Sequence, residues 1–137
     1  MNILLDTHIV LWTLYDPDKL SPEAVSIISD PDNWICVSAV SLWEIEIKRL
    51  KRPDIFNFSA QEVFEDCLRA GFSPVDLGPH HIFSLQSVGE AASVDVGAFH
   101  NDPFDRMLIA QAKSDYMCLI TRDSKLAAYN EPCVVIV

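Results

Sequence analysis

Four short apolar runs punctuate the chain at Ile3-Leu4-Leu5, Trp34–Ser38, Met117–Thr121 and Cys133–Val137. Each is strand length, and the first three read as strands buried on both faces of a sheet. Between them lie helical stretches with recognisable ends. The run Ile9–Tyr15 is apolar and helical and stops at Asp16-Pro17. Ser21-Pro22 is an N-cap followed by proline, which predicts a helix to about Ser29. After a turn at Pro31-Asp32-Asn33, the strand Trp34–Ser38 leads to Ser41-Leu42-Trp43-Glu44, whose spacing fits a capping box opening a helix that ends in Lys48–Arg52 before Pro53. Ser59-Ala60-Gln61-Glu62 is a second capping box, and Gly71 is the stop of the helix it begins. Phe72–Leu77 reads as a strand, placed at an edge because Pro74 cannot donate to a ladder. Pro79–Val88 reads as helix and Gly89–Asn101 as loop. Asp102-Pro103 reads as N-cap and first residue of a helix to about Asp115, whose Met107–Ala110 segment is apolar all round and so belongs inside a domain. A short helical turn is expected after Arg122-Asp123-Ser124.

Strands that alternate with helices predict the α/β class: a central, mostly parallel sheet of about five strands flanked by helices, in one domain over residues 1–137. A chain of 137 residues, half hydrophobic and 22% charged, is long and apolar enough for a core of its own. Its net charge of −10 argues against a broad nucleic-acid-coating surface, though not against a local site that handles nucleic acid through bound cations. Cys36, Cys67, Cys118 and Cys133 form no C-x-x-C pair and read as reduced core thiols, not as a zinc site or disulfide frame. No basic residue precedes Lys19, so the apolar start lacks the form of a signal peptide, and no run approaches the ~20 apolar residues that cross a bilayer; a cytoplasmic protein is expected.

In such a sheet, sites gather at the carboxyl ends of strands. Asp6 directly follows the first strand, Asp123 lies two residues past the Met117–Thr121 run, Glu44 follows Ser38 by six residues in the first turn of its helix, and Asp102 and Asp105 open a crossover helix. This arrangement predicts a shared pocket of four or five carboxylates. Two carboxylates ~5 Å apart repel by ~3 kcal/mol at an effective dielectric of ~20, so such a cup takes up protons or a cation. Oxygen donors suit Mg2+ or Mn2+, and the chemistry that follows is metal-assisted hydrolysis of a phosphodiester. Each acid alone has a plainer role: Asp6 and Asp102 as helix caps, Glu44 as the far half of the Ser41 capping box, Asp105 as a favourable charge in a first helical turn, and Asp123 as a turn residue.

The pattern Leu4-Leu5-Asp6-Thr7-His8, then Val37–Ile45 with Glu44, then His100–Ala112 with Asp102-Pro103-Phe104-Asp105-Arg106, then Leu119-Ile120-Thr121-Arg122-Asp123, resembles the PIN-domain ribonucleases, and within them the VapC-type toxins of toxin–antitoxin pairs, over nearly the whole chain. The resemblance implies a PIN-like fold and a Mg2+- or Mn2+-dependent endoribonuclease that cuts RNA. It implies Asp6, Glu44, Asp105 and Asp123 as the acidic quartet, with Asp6 and Asp105 the principal metal ligands and Asp102 an outer helper or only a cap. It implies a homodimer and an antitoxin partner covering the acidic site.

Thr7 and Ser38 carry hydroxyls near the quartet that either orient a metal-bound water or cap helices. Arg106 either meets a phosphate or a site carboxylate, or forms an ordinary surface pair. Lys48, Arg49, Lys51 and Arg52 either grip RNA phosphates or favour a helix C-terminus. A histidine base would suit a metal-free ribonuclease, but His8, His80, His81 and His100 sit at helix starts and loop ends and are expected to play no catalytic part. Two rival functions remain: a phospho-aspartate protein of receiver or phosphatase type, which lacks here the second acid it needs near Asp6, and a non-catalytic binding module of the same fold.

Overall fold

The computed structural model describes residues 1–89, 91–92, 99–100 and 102–137. A five-stranded sheet is ordered β3-β2-β1-β6-β7, with every pairing parallel. Its strands are β1 (Asn2–Leu5), β2 (Trp34–Ser38), β3 (Ser73–Val75), β6 (Cys118–Thr121) and β7 (Val134–Ile136). The helices are α1 (Thr7–Tyr15), α2 (Pro22–Ser29), α3 (Ala39–Lys51), α4 (Ala60–Arg69), α5 (Pro79–Ser84) and α6 (Pro103–Ser114), with a 3-10 helix at Ser124–Tyr129. Strand β3 is an edge, so Pro74 leaves no interior ladder bond unmade. Two further strands, β4 (Ala91–Ala92) and β5 (Phe99–His100), pair antiparallel; most of the loop expected over 89–101 lies outside the described residues, Asn101 and the side chain of His100 included.

Alternation along each strand divides the core in two. Ile3, Leu5, Ile35, Val37 and Ile120 face a cluster completed by Ile9, Val10 and Ala24 with Ile45, Val63 and Cys67. Leu4, Cys36 and Leu119 face the other way, onto Val40, Leu108, Ile109, Ala110, Ala112 and Leu126. Helices therefore cover both faces, which explains why the strands read as unbroken apolar runs. All four cysteines are free thiols, Cys36 and Cys67 buried and Cys118 and Cys133 half-buried. Helix α4 ends where Gly71 adopts a φ of +84°, with its N–H on Leu68 O and the Phe72 N–H on Cys67 O, a conformation glycine enters without a Cβ penalty. Among the described residues no helix is long and apolar enough to cross a membrane.

The start of α3 differs from the expectation. Ser38, not Ser41, is the N-cap, its hydroxyl accepting from Val40 N at 2.9 Å. Ser41 and Glu44 lie inside the helix with their side chains buried. The capping-box spacing at Ser41 is real in sequence, but tertiary partners draw both side chains inward.

Candidate metal centre

Asp6 ends β1 where the sheet opens. Its backbone N–H bonds Ile120 O at 3.1 Å, and its carboxylate caps α1 by accepting from Thr7 N at 2.8 Å. The other carboxylate oxygen accepts from the Thr121 hydroxyl at 2.6 Å. That hydroxyl also accepts from Asp123 N at 3.0 Å, so one side chain at the end of β6 ties Asp6 to the Asp123 segment. Glu44, 4% exposed, comes from the second turn of α3. The Thr7 hydroxyl donates to Glu44 Oε1 at 2.6 Å and lies 3.0 Å from Ser41 Oγ, while Lys48 Nζ donates to Glu44 Oε2 at 2.5 Å. Burial pushes the Asp6 carboxyl above its ordinary range; the hydrogen bonds from Thr121 and Thr7 N oppose this, and the Glu44 charge adds to it.

Asp123 caps the 3-10 helix through Lys125 N at 2.9 Å and shares with Asp6 a surface pocket of about 220 Å³, lined also by His8, Trp12 and Arg122. Asp102 caps α6, accepting from Phe104 N at 2.8 Å and Asp105 N at 3.2 Å, and Asp105 is buried in the first turn. Helix α6 turns into β6 through only residues 115–117, so the two run antiparallel. Asp102 and Asp105 therefore lie at the carboxyl end of the sheet with Asp6 and Asp123. Burial raises the Tyr129 phenol; the charge of Arg106 opposes this, and the charges of Asp105 and Asp102 add to it.

The remaining candidates have other partners. Ser38 is fully buried, out of reach of any substrate, and its hydroxyl donates to Gln111 Oε1. Thr7 is buried too, and its proton belongs to Glu44. Arg106 donates to Gly89 O at 2.8 Å and Val88 O at 3.1 Å. Arg49 pairs with Glu46 at 3.0 Å and Arg52 with Asp54 at 3.3 Å, and Lys51 is exposed. Gln111 and Thr121 went unremarked in the sequence. Gln111, a polar residue in an otherwise apolar helix segment, was the signal for a buried partner; Thr121, two residues before an acid at a strand end, was the other.

Hard oxygen donors on buried or half-buried carboxylates, with the Asp6 proton affinity raised by burial and by a neighbouring acid, fit a small divalent cation. Such an ion would rest on Asp6, with Asp123 on the same pocket and Glu44 joined to Asp6 through Thr7; among the described residues no three of the carboxylates Asp6, Glu44, Asp102, Asp105 and Asp123 come close enough to form a ligand cluster.

A family model described as the PIN domain matches residues 3–132. The chain belongs to the PIN-domain family. This PIN domain is 27% identical over 135 residues to Ribonuclease VapC22 of Mycobacterium tuberculosis, spanning 96% of the chain and 94% of that relative. Its fold is shared with the VapBC2 crystal structure from Rickettsia felis bound to a DNA fragment from their promoter (TM-score 0.68, 14% identity, covering 100% of this chain and 98% of that one). It is also shared with FitAcB from Neisseria gonorrhoeae (TM-score 0.52, 20% identity, covering 93% of each chain).

Proposed function

We propose that this PIN domain is a Mg2+- or Mn2+-dependent endoribonuclease, the toxin of a VapBC-type toxin–antitoxin pair, acting in the cytoplasm. The observation that carries the reading is the buried pair Asp6 and Glu44, linked through the Thr7 backbone and hydroxyl, with Asp123 on the same pocket as Asp6. A bound divalent ion supplies polarisation of a phosphoryl oxygen and a lowered pKa for an attacking water. The chain supplies position. Thr121 and Thr7 N fix both oxygens of Asp6, leaving their remaining lone pairs for the cation. Thr7 and Lys48 hold the two oxygens of Glu44, and the Lys48 charge partly offsets its own. Asp105 and Asp123 complete the quartet from α6 and the 3-10 helix, and Asp102 keeps the start of α6 in place as its cap. Arg49, Lys51 and Arg52 form an outer grip for flanking phosphates, weakened by the ion pairs two of them already make.

A 27% identical relative named a ribonuclease supports the activity, and a structural neighbour solved as a VapBC assembly supports an antitoxin partner. Exposed apolar side chains at Trp43, Leu50 and Ile55 give a homodimer or an antitoxin contact surface to cover. The receiver alternative loses ground on topology. Receivers order their sheet 2-1-3-4-5, with β1 between β2 and β3, whereas here β2 lies between β1 and β3.

The test is purified protein incubated with mixed RNA in Mn2+, in EDTA, and in Mn2+ as Asp6→Asn. Cleavage is expected only for the wild type in Mn2+. Cleavage that survives EDTA or Asp6→Asn would falsify the metal mechanism, and a folded wild type inert in Mn2+ would favour the binding-module reading.

A further inference from the structure

An enzyme with net charge −10 must meet a polyanion through some local cation that is not already neutralised. Most are. Lys19, Lys48, Arg49, Arg52, Arg69 and Lys113 are in ion pairs, and Arg106 is bound to backbone carbonyls. Among the described residues Lys51, Arg122 and Lys125 have no ion pair, and of these three Arg122 lines the pocket that Asp6 and Asp123 share. Arg122 is exposed, and it lies between Thr121 and Asp123, the residues that tie the two acids together. On α1, the other wall of the pocket is aromatic. His8 is exposed and Trp12 half-buried, one turn apart, with ring centroids 5.8 Å apart and planes tilted by 51°. A volume of about 220 Å³ is below the ~300–1,000 Å³ that encloses a whole drug-sized ligand, as suits a site that holds one unit of a longer polymer.

We propose that this pocket is a single-nucleotide subsite for RNA beside the cutting centre. Arg122 takes the phosphate next to the scissile one, and the His8–Trp12 corner takes the adjoining base by stacking. This rests on the ribonuclease reading and adds which side of the acidic cup the strand leaves by. A guanidinium offers a planar fork that matches phosphate, and aromatic faces accept any base, so the subsite orients the strand with weak sequence preference. The basic run at the end of α3 is then secondary, because its arginines are already paired with carboxylates.

The experiment uses fluorescence anisotropy of a labelled single-stranded RNA in Mn2+ at pH 8. The protein is the full chain carrying Glu44→Gln, a residue outside the pocket, to stop cleavage during the measurement. Adding Arg122→Ala should weaken binding about tenfold at low salt and flatten the slope of log affinity against log salt by about 0.7, the loss of one phosphate contact on a single strand. Arg122→Lys should restore the slope. His8→Ala should weaken binding about fivefold or more and leave the slope unchanged, since stacking releases no counterion. His8 is exposed, so its removal is not expected to unfold the chain, and thermal melts check this. Unchanged affinity and slope in both variants, in a chain whose Glu44 parent cleaves RNA with Mn2+, overturn the subsite while the nuclease stands. A folded wild type that neither binds nor cleaves RNA overturns both.

Discussion

Two clusters of ligand-type side chains lie at opposite ends of α6, and they behave differently. At its start are Asp102 and Asp105, on the side of the sheet that holds Asp6, Glu44 and Asp123. At its end, Asp115 meets His80 Nε2 at 3.1 Å and His81 Nε2 at 2.7 Å, and the ligand atoms of these three residues lie within 4.8 Å of one another. By distance alone the second cluster looks the better metal site. Its protons say otherwise. His81 Nδ1 accepts from Gly78 N at 3.0 Å, capping α5, so the neutral ring carries its hydrogen on Nε2 and donates it to Asp115. To ligate through Nε2, His81 would have to give up that hydrogen bond and its capping bond together. Asp6 has the reverse character: each of its oxygens accepts one hydrogen bond and keeps a lone pair to offer, and burial makes it ill at ease with its charge. Closeness of donors does not make a site; what matters is which lone pairs remain.

The largest test of this contrast is catalytic. Asp6→Asn should lower RNA cleavage by at least about a hundredfold, more than the 10–100-fold typical of outer-shell partners, while Asp115→Asn should leave it within about twofold; a gel assay on both variants decides. Next in size is metal-linked stability. Mn2+ at about 100 times its dissociation constant should stabilise the wild type by ~2.7 kcal/mol in thermal melts. The shift should vanish in Asp6→Asn and persist in full in His80→Ala. If His80→Ala abolished it, the assignment of the two clusters would be inverted. Third, His81→Ala should cost about 1–3 kcal/mol in urea unfolding, because it strips Gly78 N and Asp115 of partners, with the metal-dependent shift intact.

The subtlest test is the sign of the pH dependence. For Asp115 burial works against the charged form, but the hydrogen bonds and charges of His81 and His80 outweigh it, and the carboxyl titrates below its ordinary value. Its contribution is complete above the unfolded-state pKa near 3.9 and is lost as pH falls through the lower folded value. Asp6 is displaced upward, so the native state holds its proton more tightly than the unfolded chain does. Stability is therefore lost as pH rises from about 3.9 through the raised folded value, and the full penalty is present above it. Without metal, Asp6→Asn should stabilise the protein at pH 7, whereas Asp115→Asn should flatten only the acid limb. Urea midpoints from pH 3 to 8 for the two variants read both signs.

Sheet and helices were legible because each strand is buried on both faces, so Ile3-Leu4-Leu5 and Trp34–Ser38 show as runs, and because caps such as Ser21, Ser59 and Asp102 precede their helices in the ordinary way. Of the acids, the position after a strand foretold that Asp6 and Asp123 line one pocket. What was not legible were the long-range hydroxyl bonds. Nothing local tells that Thr7 serves Glu44, that Ser38 answers Gln111 on another helix, or that Ser41 abandons a cap for the interior. Nor does a run of cations reveal that Arg49 and Arg52 are paired while, among the described residues, Arg122 is not. Those facts come into being only when distant segments meet.

Thr121 donates a hydrogen bond to Asp6 and accepts one from the Asp123 backbone N–H. A single oxygen atom thereby acts as a hinge pin through two parts of the chain more than a hundred residues apart. Neither acid can shift without tugging the other, so a valine at this position would slacken both at once, and any lengthening of the segment after β6 would be felt at the far end of the sequence.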